Sequence, residues 1–249
     1  MRGEPDEELL RKRLGELAER SERTGCCFTD FLTPPEADWA SAAARKCGVE
    51  CSLFGGYEDA ERRMARFGDD EQPFPIGAVM VTWRHQTAPT HRDLLGSVMA
   101  LGMTRGQIGD IVLEAERAFV FAHSRMVEQL MDTLATAGRT RLSLERLAEL
   151  PELAPVEGTE VRGTVSSLRL DAVLSDGFGL SRATAAELIV AGQAKLCHLP
   201  TERPDARVRE GDAISLRGYG RLVLVAVGQP TKKGRIPITL TRYGERRGR

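Results

Sequence analysis

The sequence predicts an α+β protein built in three parts. A helical and mixed region occupies residues 1–73, a βαββαβ domain 74–150, and a small C-terminal domain 164–244. A linker at 151–163 joins the last two, and a basic tail at 245–249 ends the chain. Three observations carry this division. Apolar residues switch repeatedly between helical and strand periods. Two acidic, proline-bearing stretches, GDDEQPFP and AELPELAPVEGTE, interrupt the pattern. Charge also changes sign along the chain. From Thr164 onward there are 15 Lys+Arg against 8 Asp+Glu, and before it 20 against 28.

Each element has a local reason. Residues 6–23 place Leu9, Leu10, Leu14 and Leu17 on one side of an amphipathic helix. Thr33-Pro34-Pro35-Glu36 is a helix start, with a capping threonine, proline at the first helical position and a glutamate that completes a capping box. That helix is expected to reach Cys47. VECSLF reads as a strand, Gly55-Gly56 as a turn, and YEDAERRMARF as a short helix.

In the central part, IGAVMVTWR is a strand, and Thr90 with Asp93 caps a helix that stops at Gly102. Residues 110–114 and 118–123 form two strands joined by a tight turn. Ser124 opens a helix through VEQLMDTLATAG, and RTRLSLERL closes as a strand. This order is ferredoxin-like, an arrangement shared by many RNA-recognition modules and by much else. Phe119 and Phe121 fall on one face of their strand. They are read as core, or as covered by the N-terminal helices, because no glycine-rich basic signature surrounds them for base stacking.

In the C-terminal part, residues 170–174 form a short helix. Ser181 caps a second one, which carries Ala185, Leu188 and Ile189 at helical spacing and ends at Gly192. Arg182 then lies in a first helical turn, where free N–H groups and the helix dipole favour phosphate. QAKLCH is strand-like, and Gly211-Asp212 is a turn before AISLR.

Composition excludes several classes. At 41% hydrophobic and 29% charged the chain is globular. No apolar run approaches the roughly 18 residues of a membrane span. The charged N-terminus lacks a signal-peptide core, so a cytoplasmic location is expected. Five cysteines, Cys26, Cys27, Cys47, Cys51 and Cys197, are an odd set without a secretory signal, and reduced thiols are favoured over a zinc site. His91 has no partners at ligand spacing, so hydrogen bonding is favoured over a metal or catalytic role. Glycine-rich nucleotide loops are absent, and no cofactor is expected. A basic C-terminal half calls for an anionic partner.

Arg169-Leu170-Asp171, Ser181-Arg182, Leu188-Ile189, Gly192 and Gly211-Asp212-Ala213-Ile214 together resemble the S-four-type (alpha-L) RNA-binding domain. The chain departs from that pattern at residues 196–200, where the family has a V-N-G turn. Gly218-Tyr219-Gly220-Arg221 and Thr231-Lys232-Lys233-Gly234-Arg235 further resemble the YlmH-like RNA-binding proteins. So do Phe31-Leu32-Thr33-Pro34, Gly55-Gly56-Tyr57-Glu58, Thr90-His91-Arg92-Asp93-Leu94-Leu95-Gly96 and Ile108-Gly109-Asp110-Ile111. The resemblance implies a bacterial protein with a central RRM-like domain, sometimes encoded beside cell-division genes. It implies binding to ribosomes, including a large subunit that carries stalled peptidyl-tRNA, and no catalytic activity.

The expected RNA contacts are Arg169 and Arg182 first, then Lys195, Arg217 and Arg221, and the basic loop Lys232, Lys233 and Arg235. Their role is phosphate contact, with arginine also able to stack or grip bidentately. Ser181 and Thr231 are expected to donate to phosphate oxygens, and Tyr219 is counted with its motif. Ribosomal RNA and tRNA are the expected partners, with a protein partner for the acidic N-terminal part. Two rival readings are an RNA-modifying enzyme of the pseudouridine-synthase kind, anchored by the small domain, and a cell-division scaffold.

Overall fold

The computed structural model describes residues 7–69, 71–84, 87–153 and 158–243. The tail with Arg246, Arg247 and Arg249, and part of the linker, lie outside the described residues. The chain mixes helix and sheet throughout, as an α+β protein does, and divides into two compact units, Met1–Pro155 and Val156–Arg249.

The first unit begins with α1 (Glu7–Thr24), β1 (Cys27–Phe28), α2 (Pro34–Cys47), β2 (Cys51–Phe54) and β3 (Met64–Phe67). The expected cap of α2 is present: the Thr33 N–H donates to Glu36 Oε2 at 2.6 Å, and Gly48 ends the helix at φ 73°. Both helices pack through Leu14, Ala18, Ala37, Ala40 and Ala44 against Phe67. Leu10 and Leu17 join this cluster, whereas Leu9 is exposed. The three strands form a sheet in the order β1-β3-β2.

One expected helix is absent. Residues 57–63 turn, and β3 follows as the middle strand of that sheet. The charge-rich run reads locally as helix, but the Asp110 carboxylate, far along the chain, accepts from the N–H groups of Glu61 (2.7 Å) and Arg62 (3.2 Å). A tertiary bond of this kind overrides local propensity. Gly56 belongs to the same bend. It takes φ 105°, and a Cβ there would lie 2.4 Å from the Phe121 ring.

The chain continues with β4 (Ile76–Thr82), α3 (His91–Ala100), β5 (Ile108–Leu113), β6 (Arg117–His123), α4 (Val127–Thr133), β7 (Thr136–Ala137), β8 (Thr140–Arg141) and β9 (Ser143–Arg146). The four-stranded sheet runs β5-β6-β4-β9, with every pairing antiparallel. The α4 helix is shorter than expected, because β7 and β8 form a hairpin at Gly138, φ 60°. The single closing strand is accordingly split, and only β9 joins the sheet.

This sheet is buried on both faces. Val79, Val81 and Val120 pack against Leu94 and Val98 of α3 and Leu130 of α4. Phe119 and Phe121 face the other way and are 3% and 0% exposed, so the core reading of these two rings holds. Their cover is Phe31, Met64, Tyr57 and Phe74, together with Leu147, Leu150 and Leu153. The cover therefore comes from loops and strand ends rather than from α1 and α2. It also reaches into the linker expected at 151–163: Leu153 packs on the first unit beside Leu150.

Arg62 fastens the two layers of this unit. It is 9% exposed and donates to the carbonyls of Phe31 (2.9 Å), Arg105 (3.1 Å) and Ile108 (3.2 Å). Burial, with Arg105 nearby, lowers its pKa to about 10.

The second unit holds β10 (Thr159–Val165), α5 (Leu170–Phe178), α6 (Arg182–Val190), β11 (Ala194–Leu196), β12 (Leu199–Thr201), β13 (Ala213–Leu216), β14 (Gly220–Val227) and β15 (Ile236–Tyr243). Its sheet runs β10-β15-β14-β13-β11-β12. Residues 159–163, expected as linker, are part of an edge strand paired along β15. The α5 helix runs four residues beyond the expected end, to Phe178, because Val173, Leu174 and Phe178 all find core. At residues 197–198 the chain turns between β11 and β12 with Cys197 at φ 49° and His198 at φ 66°. Asn-Gly is favoured at such a turn, since both positions need φ above zero.

Two outcomes are expected in thermal and denaturant unfolding of the full chain. Arg62→Ala removes three hydrogen bonds to backbone carbonyls and leaves the Phe31 carbonyl without its guanidinium donor; it is expected to destabilise the first unit by about 3 kcal/mol. His198→Gly relieves left-handed strain and is expected to stabilise the second unit by about 1 kcal/mol.

Candidate nucleic-acid interface

Both helices of the second unit start at arginines. Arg169 precedes α5, and its backbone forms a bridge with Arg207. Leu170 N–H and Asp171 N–H donate to the carbonyls of Ala206 (2.8 Å) and Pro204 (3.0 Å), so the helix start is tied to the 203–208 segment. Arg182 opens α6 behind Ser181, whose Oγ accepts from Thr184 N–H at 3.0 Å.

The two starts meet at one carboxylate. Asp171 is 6% exposed. Its Oδ1 accepts from Arg169 Nε at 3.2 Å, and its Oδ2 accepts from Arg169 Nη2 at 3.2 Å and Arg182 Nη2 at 2.9 Å. Burial pushes the Asp171 carboxyl up, but the hydrogen bonds and charges of the two arginines outweigh it, leaving its pKa below the usual value. The hydrogen bond to Asp171 raises Arg169 in turn. The arginine side chains remain 43% and 51% exposed. Each is thus gripped from below while other guanidinium N–H groups face solvent. Guanidinium forks oriented beforehand lose less entropy on meeting an anion.

The remaining expected residues lie elsewhere. Lys195 is on β11 and Arg221 on β14, and both point away from the helix layer (see below). Arg217 sits at the β13–β14 turn, where Gly218 takes φ 84°. Tyr219 is half-buried and packs on Phe178, ring centroids 5.8 Å apart, so its ring belongs to the core cluster's margin. Thr231 Oγ1 accepts from Arg235 N–H at 3.1 Å within the β14–β15 loop. Arg235 is folded onto β10, its Nε donating to Thr164 Oγ1 at 2.9 Å, while Lys232 and Lys233 are exposed. The Ser181 hydroxyl is engaged as a helix cap and pairs with Thr184 Oγ1 at 2.8 Å.

Two residues join the picture that sequence reading did not single out. Arg207 lies beside Arg169 through the backbone bridge. Tyr243 lies beneath Arg221, whose guanidinium carbon is 4.8 Å from the ring centroid. Neither carries a local signal, since only strand register brings each to its partner.

The upstream motifs converge on Asp110. Its Oδ2 accepts from Tyr57 OH at 2.9 Å as well as from Glu61 N–H. Burial lowers the His91 pKa, and the charge of Arg105 lowers it further. Thr90 and Asp93 cap α3 reciprocally, at 3.2 and 2.9 Å. These motifs hold loops in place around the central sheet. Among the described residues there is no cluster of three or more His, Cys, Asp or Glu side chains placed to hold a metal ion. No disulfide joins the cysteines, and no described helix is long and apolar enough to cross a membrane.

The sequence is similar to known proteins. The family model "Putative RNA-binding domain in YlmH" matches residues 71–149. Ribosome-associated protein quality control protein P2 of Bacillus subtilis (strain 168) is 34% identical over 223 residues, covering 86% of each chain. The chain belongs to the YlmH-like family of RNA-binding proteins. A solved structure, the cell division protein ylmH from Streptococcus pneumoniae, is 24% identical, with a TM-score of 0.49 over 59% of this chain and 94% of that one. Among the described residues of the second unit, Asp171 is the one buried charged side chain.

Asp171→Ala is expected to destabilise the second unit by about 2 kcal/mol at neutral pH, less than a fully buried pair because both arginines are half exposed. The folded pKa lies below the unfolded one. The carboxylate's contribution is therefore full above 3.8 and lost as pH falls through the lower folded value. Urea melts of wild type and variant at stepped pH should converge in acid.

Proposed function

We propose that this protein is a noncatalytic RNA-binding factor of translation. It holds ribosomal RNA and tRNA on the large ribosomal subunit, in quality control of stalled peptidyl-tRNA. The observation that carries this reading is the Asp171 clamp, which presents two half-exposed arginines at adjacent helix starts. Such an arrangement suits the closely spaced phosphates of structured RNA. The relative named for ribosome-associated quality control supports the setting.

The four-strand order β5-β6-β4-β9 supports reading residues 74–150 as an RRM-like module. The two short helices on a sheet support reading residues 164–244 as an S-four-type domain. In this reading the C-terminal domain anchors on phosphates, while the acidic N-terminal part meets a protein partner in the cytoplasm.

Charge reversal at both clamp arginines, Arg169→Glu with Arg182→Glu, is expected to abolish cosedimentation with large ribosomal subunits. Unchanged cosedimentation would sink the assignment. Wild-type binding should weaken steeply with salt, by about 0.7–0.9 log units per phosphate contact for each tenfold rise in salt.

A further inference from the structure

The C-terminal sheet has two faces, because successive side chains alternate across a strand. One face carries Leu216, Leu222, Leu224 and Leu240, and both α5 and α6 pack on it. The other is left uncovered by the described residues of its own unit. Directly paired residues across antiparallel strands share a face. The register Pro200↔Lys195↔Ser215↔Arg221↔Tyr243 therefore sets one continuous row across that outer face. The next row along it, Ala213↔Val223↔Thr241↔Glu160, carries small side chains up to the edge strand.

Within the first row the Arg221 guanidinium lies over the Tyr243 ring at 4.8 Å. The ring has space because Gly158 stands beside it: a Cβ there would come within 3.0 Å of the ring and 2.1 Å of Thr241 Cγ2. The nearest acid on this face, Glu160, is engaged by Arg162 at 2.6 Å. Among the described residues, Lys195 and Arg221 are in no ion pair. The face thus carries an exposed lysine and one planar guanidinium set on an aromatic ring.

We propose that this outer face is a second RNA-binding surface, where an unpaired nucleotide stacks on the Arg221–Tyr243 pair and its phosphate meets Lys195. The proposal rests on the RNA-binding reading above and adds a single-stranded ligand to it. The chemistry is specific to the groups present. Bases stack on guanidinium planes and aromatic rings alike, and the arginine edge keeps N–H donors for phosphate. A duplex presents no free base face and gains little here. Small side chains in the adjoining row let the ribose and backbone approach the sheet.

The full-length protein is titrated into a fluorescein-labelled oligouridine and into a blunt RNA duplex of equal length. Arg221→Lys keeps the charge and removes the plane. Tyr243→Leu keeps apolar bulk and removes the ring. Each is expected to weaken oligouridine binding by about tenfold and to leave duplex binding unchanged. Arg169→Gln with Arg182→Gln keeps side-chain donors toward Asp171 while removing both charges, and is expected to weaken duplex binding instead. Wild-type oligouridine affinity in both sheet-face variants overturns the second surface and leaves the ribosomal reading standing. Failure of the wild-type protein to bind either RNA overturns the reading beneath it.

Photocrosslinking of wild type to a 4-thiouridine oligonucleotide gives a readout independent of variant folding. Adducts on the peptide bearing Tyr243 support the proposal, and adducts confined to the 228–235 loop overturn it. Loss of a dimer in the variants, with RNA affinity unchanged, assigns the face to a second copy of the chain and also overturns it.

Discussion

One buried carboxylate organises the surface that matters in the second unit. Alone, Asp171 would be strongly unfavourable in its position, since an ionised group out of water needs partners. Its partners, Arg169 and Arg182, come from two helix starts and lie thirteen residues apart in sequence. The same bonds that satisfy the acid therefore fix where α5 and α6 begin relative to each other. They also hold two flexible side chains in defined directions. Stability and presentation of charge rest on the same three groups, so they cannot be varied independently.

The two large sheets solve burial differently. In the first unit, Phe119 and Phe121 are sealed under Phe31, Met64, Tyr57 and Phe74. Rings placed there hold protein together and are closed to bases. In the second unit, helices cover one face, and the opposite face carries Lys195, Ser215, Arg221 and Tyr243. A sheet covered on both faces in one unit thus coexists with a sheet whose helices pack on a single face in the other.

What was legible in the sequence was local. The caps at Thr33, Thr90 and Ser181 and the glycine stops at Gly102 and Gly192 depend on neighbours within a few residues, and each is found where the sequence places it. The run at 57–67 misled because its backbone is claimed by Asp110, some fifty residues away. Residues 151–153 misled because Leu153, packed beside Leu150, outweighs the acidic, proline-rich context around it. Within the candidate site, Arg169 and Arg182 could be named from helix starts and charge. Asp171 as their shared partner, Arg207 as a neighbour and Tyr243 as a platform depend on register, which no window of sequence reports.

Arg62 bears on how this chain can be divided. The family model begins at residue 71, as if a separate domain started there. Yet Arg62, upstream of that point, satisfies the carbonyls of Arg105 and Ile108 inside the matched region and of Phe31 outside it. A fragment cut at residue 71 would lose the guanidinium and expose the ring face of the sheet together. The stretch that the family model matches is therefore smaller than the packed unit to which it belongs. A truncation meant to isolate the central module should begin at the first helix.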